Sequence, residues 1–201
     1  MSRELVFDIE TQNTFEEVGQ GNHRGLKVSV VGVYTYEDDQ YRIFREETLK
    51  DMWPLFERAE RLIGYNSKFF DVPVLQNYYT GDLMKIPHLD LLEEIRRSAG
   101  FRPKLDDVAR ATLNTQKSGH GLEAVEWFKQ GEWEKIEKYC LDDVRITREV
   151  YEYGRTNKQI FVPDLQNKLK PIAVKFAPEK SVVGVGGVVG AGSGMNMTLP
   201  L

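Results

Sequence analysis

The spacing of apolar residues changes along the chain from strand-like runs to helical intervals, and this change limits the fold more than any other feature. Residues 5–9 and 27–36 are apolar runs typical of strands, and shorter strand-like runs lie at 41–44, 61–65 and 86–88. Elsewhere apolar residues recur at helical spacing, which predicts helices at 48–59, 70–79, 89–97, 105–113, 122–129 and 132–153. An antiparallel meander of early strands, followed by alternating elements and then helices, predicts an α/β layer fold.

Size and composition indicate one domain. The 201 residues are 41% hydrophobic and 11% aromatic, and a chain of this length can bury one sizeable core. Cys140 is the only cysteine of the sequence, which excludes an intramolecular disulfide framework and cysteine-rich zinc sites and favours a reducing setting. Because the first residues also show no signal-peptide architecture, we expect a cytoplasmic protein.

The charge balance does not favour passive nucleic-acid binding. The 27 basic and 31 acidic residues give a net charge of −4, so the chain lacks the global basicity that often marks such proteins. A nucleic-acid substrate is still compatible with this charge, because metal ions can supply positive charge where a phosphate docks.

The end of the chain differs in composition from the rest. Residues 182–201 contain six glycines and no charged side chain. The glycine density and the lack of a basic flank argue against a membrane span. The sequence therefore predicts a domain at residues 1–161 and a Gly-rich, flexible tail at residues 162–201. The alternative is a strand that docks on the domain or on a partner, and composition does not decide between the two.

The first acidic segment lies in the first predicted strand. Asp8 and Glu10 alternate with Phe7 and Ile9, so the two carboxylates project from the same face of the strand. Neighbouring carboxylates repel each other, and a hard divalent cation such as Mg²⁺ relieves that repulsion. Taken alone, the pair is also compatible with a solvated strand end.

A second acidic segment lies at a predicted helix start. Asn66 follows a predicted strand, and Asp71 opens the predicted helix at 70–79, where backbone N–H groups suit an anion or a carboxylate. The alternative is an ordinary helix-start residue, since Pro73 lies in the first turn.

The last long helix carries the third acidic segment. Tyr139 and Asp143 are four residues apart, so the hydroxyl and the carboxylate lie on one helical face. Asp142 is the adjacent rival, but it lies about 100° around the helix. On its own, the pair also fits a half-buried tyrosine beside an exposed aspartate.

Together the three segments resemble the exonuclease motifs of the DnaQ-like, or DEDD, superfamily of 3′–5′ exonucleases. The resembling segments are Phe7-Asp8-Ile9-Glu10-Thr11, Asn66 through Phe70-Asp71, and Tyr139-Cys140-Leu141-Asp142-Asp143, and the resemblance covers residues 2–154. Tyr139 makes the chain similar to the tyrosine (DEDDy) branch, which includes the proofreading domains of family B DNA polymerases. The second motif and the start of the third are also similar to small bacterial and archaeal ribonuclease H-like proteins typified by YprB.

This resemblance implies a ribonuclease H-like fold, in which helices flank a mixed sheet made of an antiparallel meander plus parallel strands. It also implies an exonuclease that removes nucleoside 5′-monophosphates from single-stranded DNA or RNA 3′ ends with two Mg²⁺ or Mn²⁺ ions. Asp8, Glu10 and Asp143 are expected to hold one ion, and Asp8 the second with support from Asp71, directly or through water, while Tyr139 orients the attacking water. The residues expected to contact the substrate strand are Asn66, Phe70 and Thr11.

Two other kinds of protein use the same fold. A non-catalytic nucleic-acid-binding module has no need of four mutually repelling acids, and an endonuclease has no need of the spacing between Tyr139 and Asp143. The sequence leaves open the choice between DNA and RNA, as well as a protein partner such as a polymerase or a helicase.

Overall fold

The main β-sheet combines an antiparallel meander with two parallel strands. The computed structural model describes residues 2–115, 121–164, 166 and 168–177. Within these residues the sheet contains β1 (Glu4–Thr11), β2 (Val28–Thr35), β3 (Gln40–Arg45), β4 (Arg61–Gly64) and β5 (His88–Asp90), in the order β3-β2-β1-β4-β5. Strands β1, β2 and β3 pair antiparallel, whereas β4 and β5 run parallel to β1. A separate antiparallel hairpin consists of β6 (Gln159–Pro163) and β7 (Leu169–Ala173).

Helices flank the sheet, so the predicted α/β class with a mixed sheet is confirmed. They are α1 (Phe15–Val18), α2 (Leu49–Arg58), α3 (Asp71–Leu75), α4 (Leu91–Ala99), α5 (Leu105–Leu113), α6 (Gly121–Lys129) and α7 (Trp133–Asn157), with short 3-10 turns at His23–Gly25, Glu46–Thr48 and Leu83–Lys85. Among the helices of the described part of the chain, none is both long and apolar enough to cross a membrane.

Several elements differ from their predicted bounds, and in two helices a single side chain explains the difference. The helix predicted at 70–79 ends at Leu75, and the side-chain amide of Gln76 then bonds the backbone of the turn that follows, at Tyr79, Gly81 and Leu83. The helix predicted at 89–97 begins instead at Leu91, because the Asp90 carboxylate accepts the first backbone N–H groups of α4 and caps it.

Buried apolar side chains cover both faces of the main sheet. Leu5, Phe7 and Ile9 of β1 pack in one core with α2 and α3. Val6 points to the opposite face, in a second core formed with α4, α5, α7, β6 and β7. Because side chains alternate along a strand, Asp8 and Glu10 point to the same side as Val6, toward α7.

The second core extends into residues that the sequence assigned to the tail. Val162, Ile172, Val174 and Phe176 are buried in the same cluster as side chains of α4, α5 and α7, and the Arg61 guanidinium donates a hydrogen bond of 2.9 Å to the Phe176 carbonyl. Side chains beyond residue 161 thus belong to this core, and the domain boundary predicted at residue 161 stays a prediction that a truncation can test. Residues 178–201 lie outside the described residues, and the Gly-rich tail stays a prediction there.

Candidate active site

Strand β1 brings two of the predicted metal ligands together. A carboxylate oxygen of Asp8, one of Glu10 and the sulfur of Cys140 all lie within 4.8 Å of one another. Glu10 is buried and Asp8 is half-buried. The alternation of the strand thus places both carboxylates on one face, against α7.

Cys140 belongs to the packing behind this pair. Its sulfur accepts a hydrogen bond of 3.1 Å from the Gly32 N–H. Burial, reinforced by the charges of Asp8 and Glu10, raises the pKa of the Cys140 thiol well above its usual range. The side chain therefore stays a neutral thiol, whereas a hard cation prefers the two carboxylates as ligands.

Gly32 sets how closely α7 approaches the sheet. It lies opposite Asp8 in the pairing of β1 with β2. A Cβ atom at Gly32 would lie 2.9 Å from Cγ2 of Val144 and 3.0 Å from Sγ of Cys140, which is closer than such atoms pack. The missing side chain thus lets α7 present its side chains to the carboxylates of β1.

Tyr139 and Asp143 are the side chains that α7 presents. Both are buried, and their spacing of four residues places them on the same face of α7. Burial and then the charges of Asp143, Glu10 and Asp8 raise the pKa of Tyr139 above its ordinary value of 10. The tyrosine therefore keeps its proton at neutral pH and acts as a hydrogen-bond donor. The Trp127 ring packs edge-on against it, with the ring centroids 5.9 Å apart.

Asp71 reaches the site from the first residue of α3. It is buried, and its Oδ1 atom accepts a hydrogen bond of 3.2 Å from the Ile9 N–H in β1. Burial first, and then the charges of Asp90 and Asp143, raise the pKa of Asp71 well above its usual range. A carboxylate in this position is costly unless positive charge lies beside it.

One open cavity of about 470 Å³ joins these side chains. All the predicted catalytic residues line it: Asp8, Glu10, Asp71, Tyr139 and Asp143. The residues predicted to contact the substrate line it as well: Thr11, Asn66 and Phe70. The structure therefore brings the three sequence motifs to one place, from β1, from the loop that leads into α3, and from α7.

Phe15 and Tyr65 also line the cavity, and the sequence did not single them out. The Phe15 ring packs edge-on against Phe70, with the centroids 5.9 Å apart. The Tyr65 hydroxyl donates a hydrogen bond of 2.8 Å to the Pro103 carbonyl. Phe15 lies in a helix of four residues, which is too short to show a periodic pattern that would have identified it.

Asp90 holds the Asn66 loop in place. Asn66 has a φ of +63°, in the left-handed region where asparagine is tolerated. Its N–H donates to one oxygen of Asp90 at 2.9 Å, and the Lys68 N–H donates to the other at 3.0 Å. Asp90 thus fixes the loop that carries Asn66 and leads to Asp71, in addition to capping α4.

His88 has a structural role in the same region. Its Nε2 atom lies 2.8 Å from the Ser67 hydroxyl. Burial, with a smaller contribution from the charge of Lys68, lowers the pKa of His88 to about 4. The imidazole is therefore neutral at physiological pH and packs behind the loop.

The comparisons with known proteins agree with this architecture. The model of the RNase H superfamily matches residues 5–154, and the chain belongs to that superfamily. Among solved structures, it is similar to the family B DNA polymerase from the hyperthermophilic archaeon Pyrobaculum calidifontis, with a TM-score of 0.59 and 19% sequence identity. The match covers 75% of this chain and 24% of the polymerase chain, and at this identity it shows the fold. A search of curated proteins finds no match.

Proposed function

We propose that this protein is a metal-dependent 3′–5′ exonuclease of the tyrosine (DEDDy) branch. It hydrolyses phosphodiester bonds of single-stranded nucleic acid and releases nucleoside 5′-monophosphates. The observation that carries the proposal is the convergence of four carboxylates and one tyrosine on a single open cavity. Membership of the RNase H superfamily and the likeness to a family B DNA polymerase support a nuclease.

The donor set fits hard divalent cations. The four acids offer carboxylate oxygens, the ligands that Mg²⁺ and Mn²⁺ prefer. Asp8, Glu10 and Asp143 would hold one ion, and Asp8 and Asp71 the other. Two bound ions supply charge stabilisation for the attacking and leaving oxygens of an in-line displacement. The raised pKa of Asp71 agrees with this assignment, because burial and then the charges of Asp90 and Asp143 disfavour the carboxylate, and cations beside it would offset both effects.

Tyr139 positions water and does not act as the base. Its raised pKa keeps the hydroxyl protonated, so the hydroxyl can donate a hydrogen bond to a water beside Asp143, which lies one turn along the same face of α7. A water molecule held between the hydroxyl and the carboxylates is aligned with the phosphorus of the last phosphodiester bond. Thr11, Asn66 and Phe70 contact the terminal nucleotide from the walls of the cavity.

Replacing Tyr139 with phenylalanine is expected to lower kcat by about 100-fold, the usual cost of misplacing a reacting group. The phenylalanine keeps the packing with Trp127 and removes the hydroxyl alone. A positioning role predicts that kcat falls across the whole pH range, with the shape of the pH profile unchanged. The measurement is kcat against pH from 6 to 9 for both proteins. A variant that loses one limb of the profile would show that Tyr139 is a proton-transfer residue.

Linear and circular single strands separate the proposed function from its rivals. With Mg²⁺ or Mn²⁺ present, an exonuclease degrades the linear strand and leaves the circle intact, because a circle has no 3′ end. An endonuclease cuts both, and a binding module cuts neither. Running DNA and RNA in parallel identifies the sugar, since the 2′-hydroxyl is what distinguishes the two substrates.

A further inference from the structure

Aromatic and basic side chains continue outward from the cavity along one surface. A groove beside the cavity shares Asn66 with it. A second groove of about 690 Å³ shares Arg102 with the first. Among the side chains that line the two grooves, we call six aromatic and basic ones the outer track, namely Phe69, Arg96, Phe101, Arg102, Lys104 and Lys170.

The aromatic members of the outer track are exposed. Phe69 is 62% exposed and Phe101 is 42% exposed, although phenylalanine is normally buried. Exposed rings beside a positively charged groove are the platforms on which successive bases of a single strand stack. The two rings therefore offer stacking surfaces outside the cavity.

Arg102 links the outer track to the catalytic cavity. Its guanidinium donates a hydrogen bond to the Asn66 side-chain carbonyl and lies 5.6 Å from the centroid of the Phe69 ring. Asn66 itself lines the cavity. A strand that leaves the cavity past Asn66 thus meets Phe69 and Arg102 first.

The outer track is basic even though the chain carries a net charge of −4. Throughout the part of the chain that the structure describes, its two arginines and two lysines form no salt bridge, whereas the nearby acids are engaged elsewhere. Glu93 pairs with Lys68 and Arg97, Asp107 pairs with Arg110, and Asp164 accepts backbone N–H groups of Gln166 and Lys168. The cations of the outer track are thus available to phosphates.

We propose that the outer track binds the single strand on the 5′ side of the nucleotide being removed, with bases on Phe69 and Phe101 and phosphates against the four cations. This inference rests on the proposed function. Such contacts do not depend on base sequence and weaken as the salt concentration rises. A dinucleotide is too short to make them. The protein should therefore bind and cleave a long strand better than a dinucleotide.

The test compares a ten-nucleotide oligothymidylate and an oligouridylate with the corresponding dinucleotides. Affinity is measured by fluorescence anisotropy in EDTA, where metal-dependent cleavage is absent, and kcat/KM is measured with Mg²⁺. The variants are Phe101→Ala and the double variant Lys104→Ala/Lys170→Ala. The matched control is Lys50→Ala, an exposed lysine of α2 on the opposite face of the sheet.

Each track variant is expected to bind the ten-nucleotide strands about tenfold more weakly, in line with the loss of one stacked base or of phosphate contacts. The double variant should also lower the slope of log affinity against log salt by about 1.4, or roughly 0.7 for each phosphate contact. The ratio of kcat/KM for long strand over dinucleotide should fall as well. Track variants that bind the ten-nucleotide strands as tightly as Lys50→Ala would overturn the inference. Failure of the wild-type protein to cleave any substrate would instead contradict the proposed catalytic function, and the binding comparison would still decide the role of the outer track.

Discussion

Replacing Asp8 or Asp143 with asparagine is expected to lower nuclease activity by about 1,000-fold, since a metal ion contributes several kcal/mol of transition-state stabilisation. Each substitution removes one negative charge from the metal site and keeps the volume of the side chain. The measurement is single-turnover cleavage of a linear strand with Mg²⁺ in excess.

A matched control lies next to Asp143 in the chain. Asp142 points elsewhere around α7 and lies 3.4 Å from the Arg145 guanidinium, so Asp142→Asn should retain activity within a few-fold of wild type. Thermal unfolding adds a readout that does not depend on catalysis. Mg²⁺ should raise the Tm of the wild type and of Asp142→Asn, because a ligand that binds the folded state stabilises it. It should raise the Tm of Asp8→Asn and Asp143→Asn much less. Full activity in either of these two variants would contradict the metal assignment.

Ending the chain after residue 161 is expected to destabilise the domain by more than about 5 kcal/mol, since each fully buried apolar side chain contributes about 1.5–3 kcal/mol. The truncation removes the buried residues Ile172, Val174 and Phe176. It also uncovers Tyr151, whose ring lies 6.2 Å from the ring of Phe176. A loss of this size approaches the entire stability of an ordinary domain.

The comparison is with a chain that ends after residue 177, which keeps β7 and the Phe176 contacts. Urea unfolding followed by circular dichroism measures both proteins. The longer chain should unfold cooperatively with the stability of the full chain, while the shorter one should be largely unfolded without urea. Equal stability of the two chains would show that the domain ends at residue 161.

The sequence predicted those elements whose hydrophobic pattern is long and regular. The valine-rich run of β2 and the long apolar stripe of α7 are both buried. The spacing of their apolar residues therefore predicted a strand and a helix correctly. The order of the three motifs showed the resemblance to a known superfamily, and the mixed sheet was expected from that resemblance. Shorter elements depended on single side chains. Asp90 fixes the start of α4 and Gln76 fixes the turn after α3, and neither contact shows as a period in the sequence.

The core beyond residue 161 was missed because composition masked it. Ile172, Val174 and Phe176 follow a mostly polar run at residues 163–171 and precede a Gly-rich segment, so composition grouped them with the tail. The partner of Phe176 on α7 is Gly154, where a Cβ atom would lie 2.4 Å from the Phe176 ring. In the sequence, that glycine resembles an ordinary helix end.

The candidate site followed from spacing, and its surroundings did not. Alternation placed Asp8 and Glu10 on one face of β1, and the four-residue interval placed Tyr139 and Asp143 on one face of α7. The resemblance to the exonuclease motifs then brought the two pairs together. Gly32, which lets α7 approach β1, lies on a strand with no motif of its own. The outer track likewise joins residues that are far apart in the chain, so only the fold brings Phe69, Arg102 and Lys170 together.

The most direct test of the central claim is the product pattern from a single strand labelled at its 5′ end. With Mg²⁺ or Mn²⁺, the account predicts a ladder that shortens one nucleotide at a time from the 3′ end, together with free nucleoside 5′-monophosphates. The ladder should disappear in EDTA and in Asp143→Asn. Products cut at internal positions, labelled mononucleotide released from the 5′ end at the earliest times, or an intact strand would contradict it.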